Sequence, residues 1–525
     1  MRATPAPATS GGWEKLRIFA IGLIAGAVGA LAFAPLGLPL LLLAAMAGWM
    51  VLTLRAPSWQ RAAFAGMSFG LGFFLVGVSW VYVSLHVYGQ MLMPLAALAT
   101  FLFALYLSLF TALASGFAMW LRARRGLSDA VTLSLLLPAA WTATEWLRAW
   151  LFTGFPWLSI GYSHAPAGWL AGFAPLVGVF GVGWLLASQA GLVVYAFGTR
   201  RTRPRAAGIS LAVCGALVVG GLSLTQVTWS EPAGKPIRVS LLQGNVSQDR
   251  KWMQEVRAAT LAMYRERVLA SDAQLIVLPE TALPLFFDQI PPGYLADLKR
   301  HAEAKGSRIL LGTVERTAAE GAYDYYNAVA MVGGVEGEAA RYRKSHLVPF
   351  GEYIPPGFGW VLKILKIPLT DFARGDAVQK PFLVVDQKVA ANICYEDAFG
   401  AEITRALPDA TLLVNVSNVA WFGRSWAADQ HFQMSQMRSL ETSRWMLRAT
   451  NTGVTGAIDE RGRAVGVLPQ HQAGVLNLEA QGRVGLTPFA RWGDWPVLIG
   501  LILAFSLCVF IFAGASAPRG RGETR

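Results

Sequence analysis

Two hydropathy patterns divide the chain. Through residue 229, long apolar runs alternate with short loops; from 230 to 494, short apolar runs alternate with polar stretches. A helix needs roughly 20 residues to cross a bilayer. Runs on that scale fall at 16–34, 38–54, 62–85, 91–121, 128–150, 169–198 and 206–226, and an eighth follows at 495–515. The pattern predicts a membrane protein of eight transmembrane α-helices with one domain inserted before the last. Residues 1–229 hold helices 1–7, 230–494 the inserted domain, and 495–525 helix 8 with a tail.

Within the inserted domain the period shortens. Ile237-Arg238-Val239-Ser240-Leu241-Leu242 predicts a strand, Trp252 to Leu269 an amphipathic helix, and Leu275-Ile276-Val277-Leu278-Pro279 a strand that runs into Glu280. Further apolar runs come at 308–313, 327–333, 382–385, 389–393 and 411–416. Strands alternating with helices and covered on both faces predict an α/β or α+β sandwich. No solenoid-length repeat interrupts it.

Lysine and arginine orient the helices, because cytoplasmic loops collect them. Arg2, Lys15 and Arg17 precede the first run, Arg55 and Arg61 follow the second, and Arg122, Arg124 and Arg125 follow the fourth. Arg200, Arg201, Arg203 and Arg205 follow the sixth, and Arg519, Arg521 and Arg525 the eighth. The alternate loops hold almost none. Both termini are therefore expected in the cytoplasm and residues 227–494 outside. Ala32-Phe33-Ala34 has the look of a signal-peptidase site; the apolar run that follows at once favours an uncleaved helix.

Composition agrees. Hydrophobic residues make up 54% of the 525 and charged residues 15%, against about 25% charged in soluble globular proteins. All but one unit of the net charge of +13 sits outside residues 230–494, where 16 basic and 4 acidic residues leave +12. The basicity belongs to membrane flanks and implies no nucleic-acid partner. Of three cysteines, Cys214 and Cys508 fall in apolar runs, and Cys394 is a lone thiol in the polar segment.

Near the outer end of the fifth run, Glu145 and Arg148 share a helix face and precede Phe155-Pro156-Trp157-Leu158-Ser159-Ile160-Gly161-Tyr162-Ser163. They read either as a structural ion pair in an aromatic belt or as a site for a polar lipid headgroup. Trp80, Tyr82 and His86 fit either arrangement. Pro349 to Gly357 is turn-rich, and the apolar Val361-Leu362-Lys363-Ile364-Leu365-Lys366-Ile367 suits either a bilayer surface or packing on its own domain.

The candidate chemistry centres on Val389-Ala390-Ala391-Asn392-Ile393-Cys394-Tyr395-Glu396-Asp397, where an apolar run ends on a thiol. A thiol attacks carbonyl carbon as the thiolate, so it needs a base, a cation or both nearby. Glu280, ending its own apolar strand, is a candidate base. Lys344, after Arg341-Tyr342-Arg343, is a candidate cation. Each alone has a plainer reading, as a salt bridge, a solvated charge or a small buried hydrophobe. No metal-ligand spacing occurs among the six histidines.

Together, in this order, Glu280, Lys344 and Cys394 resemble the Glu–Lys–Cys triad of the nitrilase superfamily. The segments Leu278-Pro279-Glu280-Thr281-Ala282, Lys344 to Tyr353, Ile393-Cys394-Tyr395-Glu396, Asn415-Val416-Ser417-Asn418 and Ala420-Trp421-Phe422-Gly423 look like the apolipoprotein N-acyltransferase family. Phe155-Pro156-Trp157 matches it too. Family sequences often carry Asp where Val419 stands, and that position receives no role. The resemblance implies an αββα nitrilase-like sandwich facing the periplasm from the bacterial inner membrane. It implies no cofactor and a two-step acyl transfer. A phospholipid, typically phosphatidylethanolamine, acylates Cys394, and the thioester then acylates the α-amine of a diacylglyceryl-lipoprotein. Glu280 would be the base, and Lys344 with the backbone N–H of Tyr395 the oxyanion donors. Glu352 and Glu396 would orient Lys344 or substrates, while Trp252 and Tyr395 would pack or touch substrate. The 358–368 loop and Trp421-Phe422 are candidates for a mouth that admits the two lipids.

Two rivals remain at this level. A membrane-anchored nitrilase-type amidase would pass its thioester to water, and seven preceding helices exceed what a soluble substrate needs. A transporter or receptor would require charged or broken helices at mid-membrane, which the runs do not offer.

Overall fold

The computed structural model describes residues 10–319, 322–334, 341–355, 357, 359 and 371–511. The long apolar runs before 230 and after 494 are mostly helical over their described residues. By length and composition Met93–Arg125, Ala171–Thr199 and Pro204–Leu224 could each cross a membrane. Trp59–Gly77 and Val81–Tyr88 qualify as a pair bent by 58°. Pro39–Leu54 and Trp495–Phe510 are shorter apolar helices. The 128–150 run is not a uniform helix: Asp129–Val131 passes through a wide turn at Thr132–Leu136 into Leu137–Arg148, with Pro138 at the join. Glycine lets the first and third runs touch. A Cβ on Gly26 would lie 1.9 Å from Phe69 O, and one on Gly72 1.9 Å from Leu23 O, so only small residues permit this crossing.

The following segment forms two six-stranded sheets. One contains β1 (Ile237–Gln243), β2 (Leu275–Val277), β3 (Arg308–Ala319), β4 (Ala322–Val332) and β5 (Arg341–Arg343); the other contains β6 (Phe382–Val384), β7 (Gln387–Ile393), β8 (Leu412–Ser417), β9 (Met446–Thr450), β10 (Gly456–Ile458) and β11 (Ala464–Val467). β12 (Gly474–Ala480) returns to the first sheet, giving spatial orders β12-β1-β2-β3-β4-β5 and β11-β10-β9-β8-β7-β6. β1, β2 and β3 run parallel, as do β7, β8 and β9; the other pairings are antiparallel.

Side chains alternate across each strand. Ile237, Val239, Leu241, Leu275 and Val277 meet Val389, Ile393, Leu412, Val414 and Val416 between the sheets. Leu242, Ile276 and Leu278 point the other way, under the helices Gln254–Leu269 and Pro292–Lys305. Ala390 and Leu413 lie outside the second sheet with Ala428 and Phe432 of the helix Ala427–Thr442. Both faces of both sheets are covered, which is the αββα order. Burial on both faces explains why these strands read as continuous apolar runs.

The sandwich and the helices share a core. Tyr395, Ala398, Phe399, Met434 and Met437 pack in one cluster with Trp80, Trp157 and Tyr162.

Candidate active site

Glu280, Lys344 and Cys394 all lie just past the carboxyl ends of strands, where an α/β sheet offers a crevice. Glu280 follows β2, Lys344 ends the run of β5, and Cys394 ends β7. The chain turns sharply at Cys394 and just after Glu280. Thr281 has φ +48° and Cys394 φ +52°. A non-glycine residue held in the left-handed region costs roughly 1–2 kcal/mol. The turn at Cys394 is therefore maintained by its surroundings.

The carboxylates and the lysine form one hydrogen-bonded system. Lys344 is 1% exposed, and its Nζ lies 2.9 Å from both oxygens of Glu352. Asn327 Nδ2 donates to Glu280 Oε1 and to Glu352 Oε1, each at 2.7 Å. The Asn418 amide donates to Glu280 Oε2 at 2.7 Å, and the Val348 amide to Glu352 Oε2 at 2.8 Å. Burial opposes the charge on Lys344, but Glu352 and then Glu280 outweigh it and hold the ammonium above its ordinary range. An ammonium has three N–H donors. Glu352 engages at most two, so one remains for an oxyanion.

The thiol is pushed the other way. Burial raises the Cys394 pKa, Glu280 adds to it, and Lys344 and Arg448 only partly offset them. At rest Cys394 is a neutral thiol, and to act as a nucleophile it would need a base at the moment of attack. The group whose charge bears most strongly on it is the candidate base itself.

Glu396 does not touch Lys344. Its Oε1 accepts from Ser345 N (2.7 Å), Ser345 Oγ (2.9 Å) and His346 N (3.1 Å), and its Oε2 from Tyr342 OH (2.8 Å) and Ile393 N (2.7 Å). It thereby ties the lysine loop to the strand that ends at the thiol. Tyr395 turns toward the helices, where its OH donates to Gly154 O at 2.9 Å and its ring stacks near Trp157. His346 Nε2 lies 2.9 Å from Thr153 O beside it.

Trp252 is 36% exposed, just before the helix Gln254–Leu269. Trp421 and Phe422 sit in the turn Val419–Phe422 and touch the helical region: Phe422 lies 4.6 Å from Trp80 and Trp421 6.1 Å from Tyr88, ring to ring. Glu145 and Arg148 are both buried, 3.8 Å apart. Glu145 accepts from Ile160 N at 2.8 Å, and Arg148 donates to the carbonyls of Phe155 and Trp157. The pair braces one loop. Tyr82 packs on His86, whose Nδ1 faces Met91 O at 2.9 Å. Residues 360–370 lie outside the described residues. Among the described residues no group of three or more His, Cys, Asp or Glu is placed to hold a metal.

Sequence reasoning missed Asn327, which bridges two acids from mid-sheet, and Lys251. Lys251 is 2% exposed; burial lowers its pKa to about 8, against the pull of Glu280. An asparagine in a strand and a lysine in a polar loop carry no local signal.

Residues 25–192 match the apolipoprotein N-acyltransferase N-terminal domain family and 238–489 the carbon-nitrogen hydrolase family. The apolipoprotein N-acyltransferase of Nitrosomonas europaea is 47% identical, over 88% of this chain and 92% of its own length. That of Methylococcus capsulatus is 45% identical over 97% and 98%. That of Pseudomonas aeruginosa is 38% identical over 93% and 95%.

Proposed function

The chain belongs to the apolipoprotein N-acyltransferase family and is an acyltransferase of lipoproteins; from that premise we propose that a phospholipid acylates Cys394 and that the thioester passes the chain on. Glu280 takes the thiol proton as sulfur attacks the ester carbonyl. The ester C–O bond breaks, and Glu280 returns the proton to the departing lysophospholipid oxygen. In the second half the lipoprotein α-amine attacks the thioester, Glu280 takes its proton, and Cys394 leaves as thiolate and is reprotonated. Lys344 and the Tyr395 amide stabilise the oxyanion in both halves; one such donor is worth about 3–4 kcal/mol.

The observation that carries this reading is the shared hydrogen-bond system of Glu280, Asn327, Glu352 and Lys344, which bears on the Cys394 thiol. Glu352 holds the ammonium in place, and Glu396 holds its loop. Trp252, Trp421 and Phe422 contact substrate. Glu145 and Arg148 act on lipid only through the loop they brace.

Phosphatidylethanolamine is the donor we favour. The protein sits in the bacterial inner membrane with eight spans, divided at 229/230 and 494/495, both termini cytoplasmic and the sandwich periplasmic. The charge alternation along the loops supports that orientation. A site at the bilayer surface avoids exposing acyl chain to water, at roughly 0.8 kcal/mol per CH₂.

The test is transfer. Purified protein with phosphatidylethanolamine and a diacylglyceryl-cysteine peptide should yield N-acylated peptide and lysophospholipid in equal amounts. Free fatty acid released at the same rate without peptide would make the chain a hydrolase.

A further inference from the structure

Against the Cys394 carbonyl lies a second polar cluster that the acyl-transfer steps do not use. Asn392, Asn415 and Arg448 stand in register across β7, β8 and β9. Asp397 comes from the turn after the thiol. His431 and Ser435 share one face of the helix Ala427–Thr442. Asp397, His431 and Arg448 are each no more than 1% exposed.

The contacts fix the protons. His431 Nε2 lies 2.6 Å from Asp397 Oδ1 and 3.1 Å from Cys394 O, two acceptors, so Nε2 carries the hydrogen. His431 Nδ1 lies 2.7 Å from Arg448 Nη2, a group that can only donate, so Nδ1 offers its lone pair. Burial and then Arg448 hold the imidazole below its ordinary range, which keeps the ring neutral. Arg448 Nη1 also donates to Asp397 Oδ2 at 2.6 Å, Ser435 Oγ at 2.8 Å and Asn415 Oδ1 at 3.0 Å. Asn415 Nδ2 gives Cys394 O its second donor, at 3.1 Å.

Every group in this cluster is therefore oriented by another, and the two donors it presents converge on one atom, the carbonyl of Cys394. That carbonyl belongs to the residue with φ +52°. Rotating it would swing both the thiol and the following amide.

We propose that His431, oriented by Asp397 and Arg448, is a positioning residue for the nucleophile. It locks the Cys394 carbonyl, and with it the left-handed turn that aims the thiol and the Tyr395 amide at the acyl carbonyl. The inference rests on Cys394 being the nucleophile.

The test compares His431→Gln with His431→Asn, measuring the single-turnover rate of Cys394 acylation by phosphatidylethanolamine in the full chain and the KM for that lipid. Glutamine places an N–H where Nε2 stands, while asparagine reaches only as far as Nδ1. The glutamine variant should stay within about tenfold of the unaltered rate and the asparagine variant should fall about 100-fold, the scale of a small misplacement. KM should not move in either. Equal rates in the two variants, both buried amides, would reduce His431 to ordinary packing and overturn the proposal. Should the asparagine variant not fold, nitrogen-15 histidine spectra of the unaltered chain decide. The neutral Nε2–H form across neutral pH supports the proposal, and an imidazolium or an Nδ1–H form overturns it. Failure of the underlying reading looks different: an acyl adduct would form equally on a Cys394→Ala chain.

Discussion

Among the described residues, the helical region buries one carboxylate and one guanidinium, Glu145 and Arg148, whereas the sandwich buries Glu280, Lys344, Glu352, Glu396, Asp397 and Arg448 around a single strand end. In the helices the hydrogen bonds of the pair go to the backbone of one loop. In the sandwich the acids and cations face one another across a thiol and keep capacity for a substrate. Each Glu280 oxygen accepts one bond from the chain and has a lone pair left. Buried charge is costly in both places. On the proposed mechanism, the first region uses it to fix a shape and the second to hold charges where new charge develops.

Removing single charges should separate these two uses. The largest effect belongs to Glu280→Gln. Loss of a general base costs about 10²–10⁴-fold, read as the acylation rate. The same change should speed alkylation of Cys394 by iodoacetamide, because the Glu280 carboxylate raises the thiol pKa. At about pH 8.5, where a free thiol is half ionised, the unaltered Cys394 should react more slowly than free cysteine and rise with pH beyond that point. An acylation rate left unchanged by Glu280→Gln would contradict the assignment of Glu280 as base.

Lys344→Met comes next. Acylation should fall about 10²–10³-fold, the measured scale for one oxyanion donor, with lipid KM unchanged. A rise in KM alone would make Lys344 a binding residue.

Arg148→Gln should do the reverse. Breaking a buried pair costs about 3–5 kcal/mol, to be seen in denaturant or thermal unfolding. Acylation per folded molecule should stay within roughly tenfold. A large kinetic loss at full stability would place the pair in the chemistry and erase the contrast between the regions.

The smallest effect is Glu396→Gln. Five donors converge on that carboxylate, and a weakened charge-assisted bond costs about 1.5–3 kcal/mol. Stability should fall, along with order in the Lys344 loop as read by amide exchange at Ser345 and His346. Unchanged exchange there would remove Glu396 from the clamp.

The same contrast explains what could be read from the sequence. The runs at 237–242, 308–313 and 389–393 lie in strands, and 327–333 does so as far as Val332, because a strand buried on both faces is apolar throughout. Glu280 and Cys394 stood out as polar residues ending such runs, whereas Lys344, after Arg341-Tyr342-Arg343, gained its meaning from the combination of the three. Ala427–Thr442 did not. Polar along its length, it would pass for a surface helix, yet it is buried nearly all round, since its neighbours offer Asp397, Arg448 and the indoles of Trp80 and Trp157. Those indoles both donate to Gln430, from positions far away in the chain. Partners so distant leave no periodic trace. The bend between Trp59–Gly77 and Val81–Tyr88 was equally invisible, because apolarity reports burial and not direction.

The central claim is that Cys394 carries the acyl chain. Intact-protein mass spectrometry after incubation with phosphatidylethanolamine in detergent tests it directly. The account predicts one added acyl mass that hydroxylamine removes, that a diacylglyceryl peptide discharges, and that the Cys394→Ala chain never acquires. An adduct that persists on the alanine chain, or no adduct with any phospholipid, would contradict it.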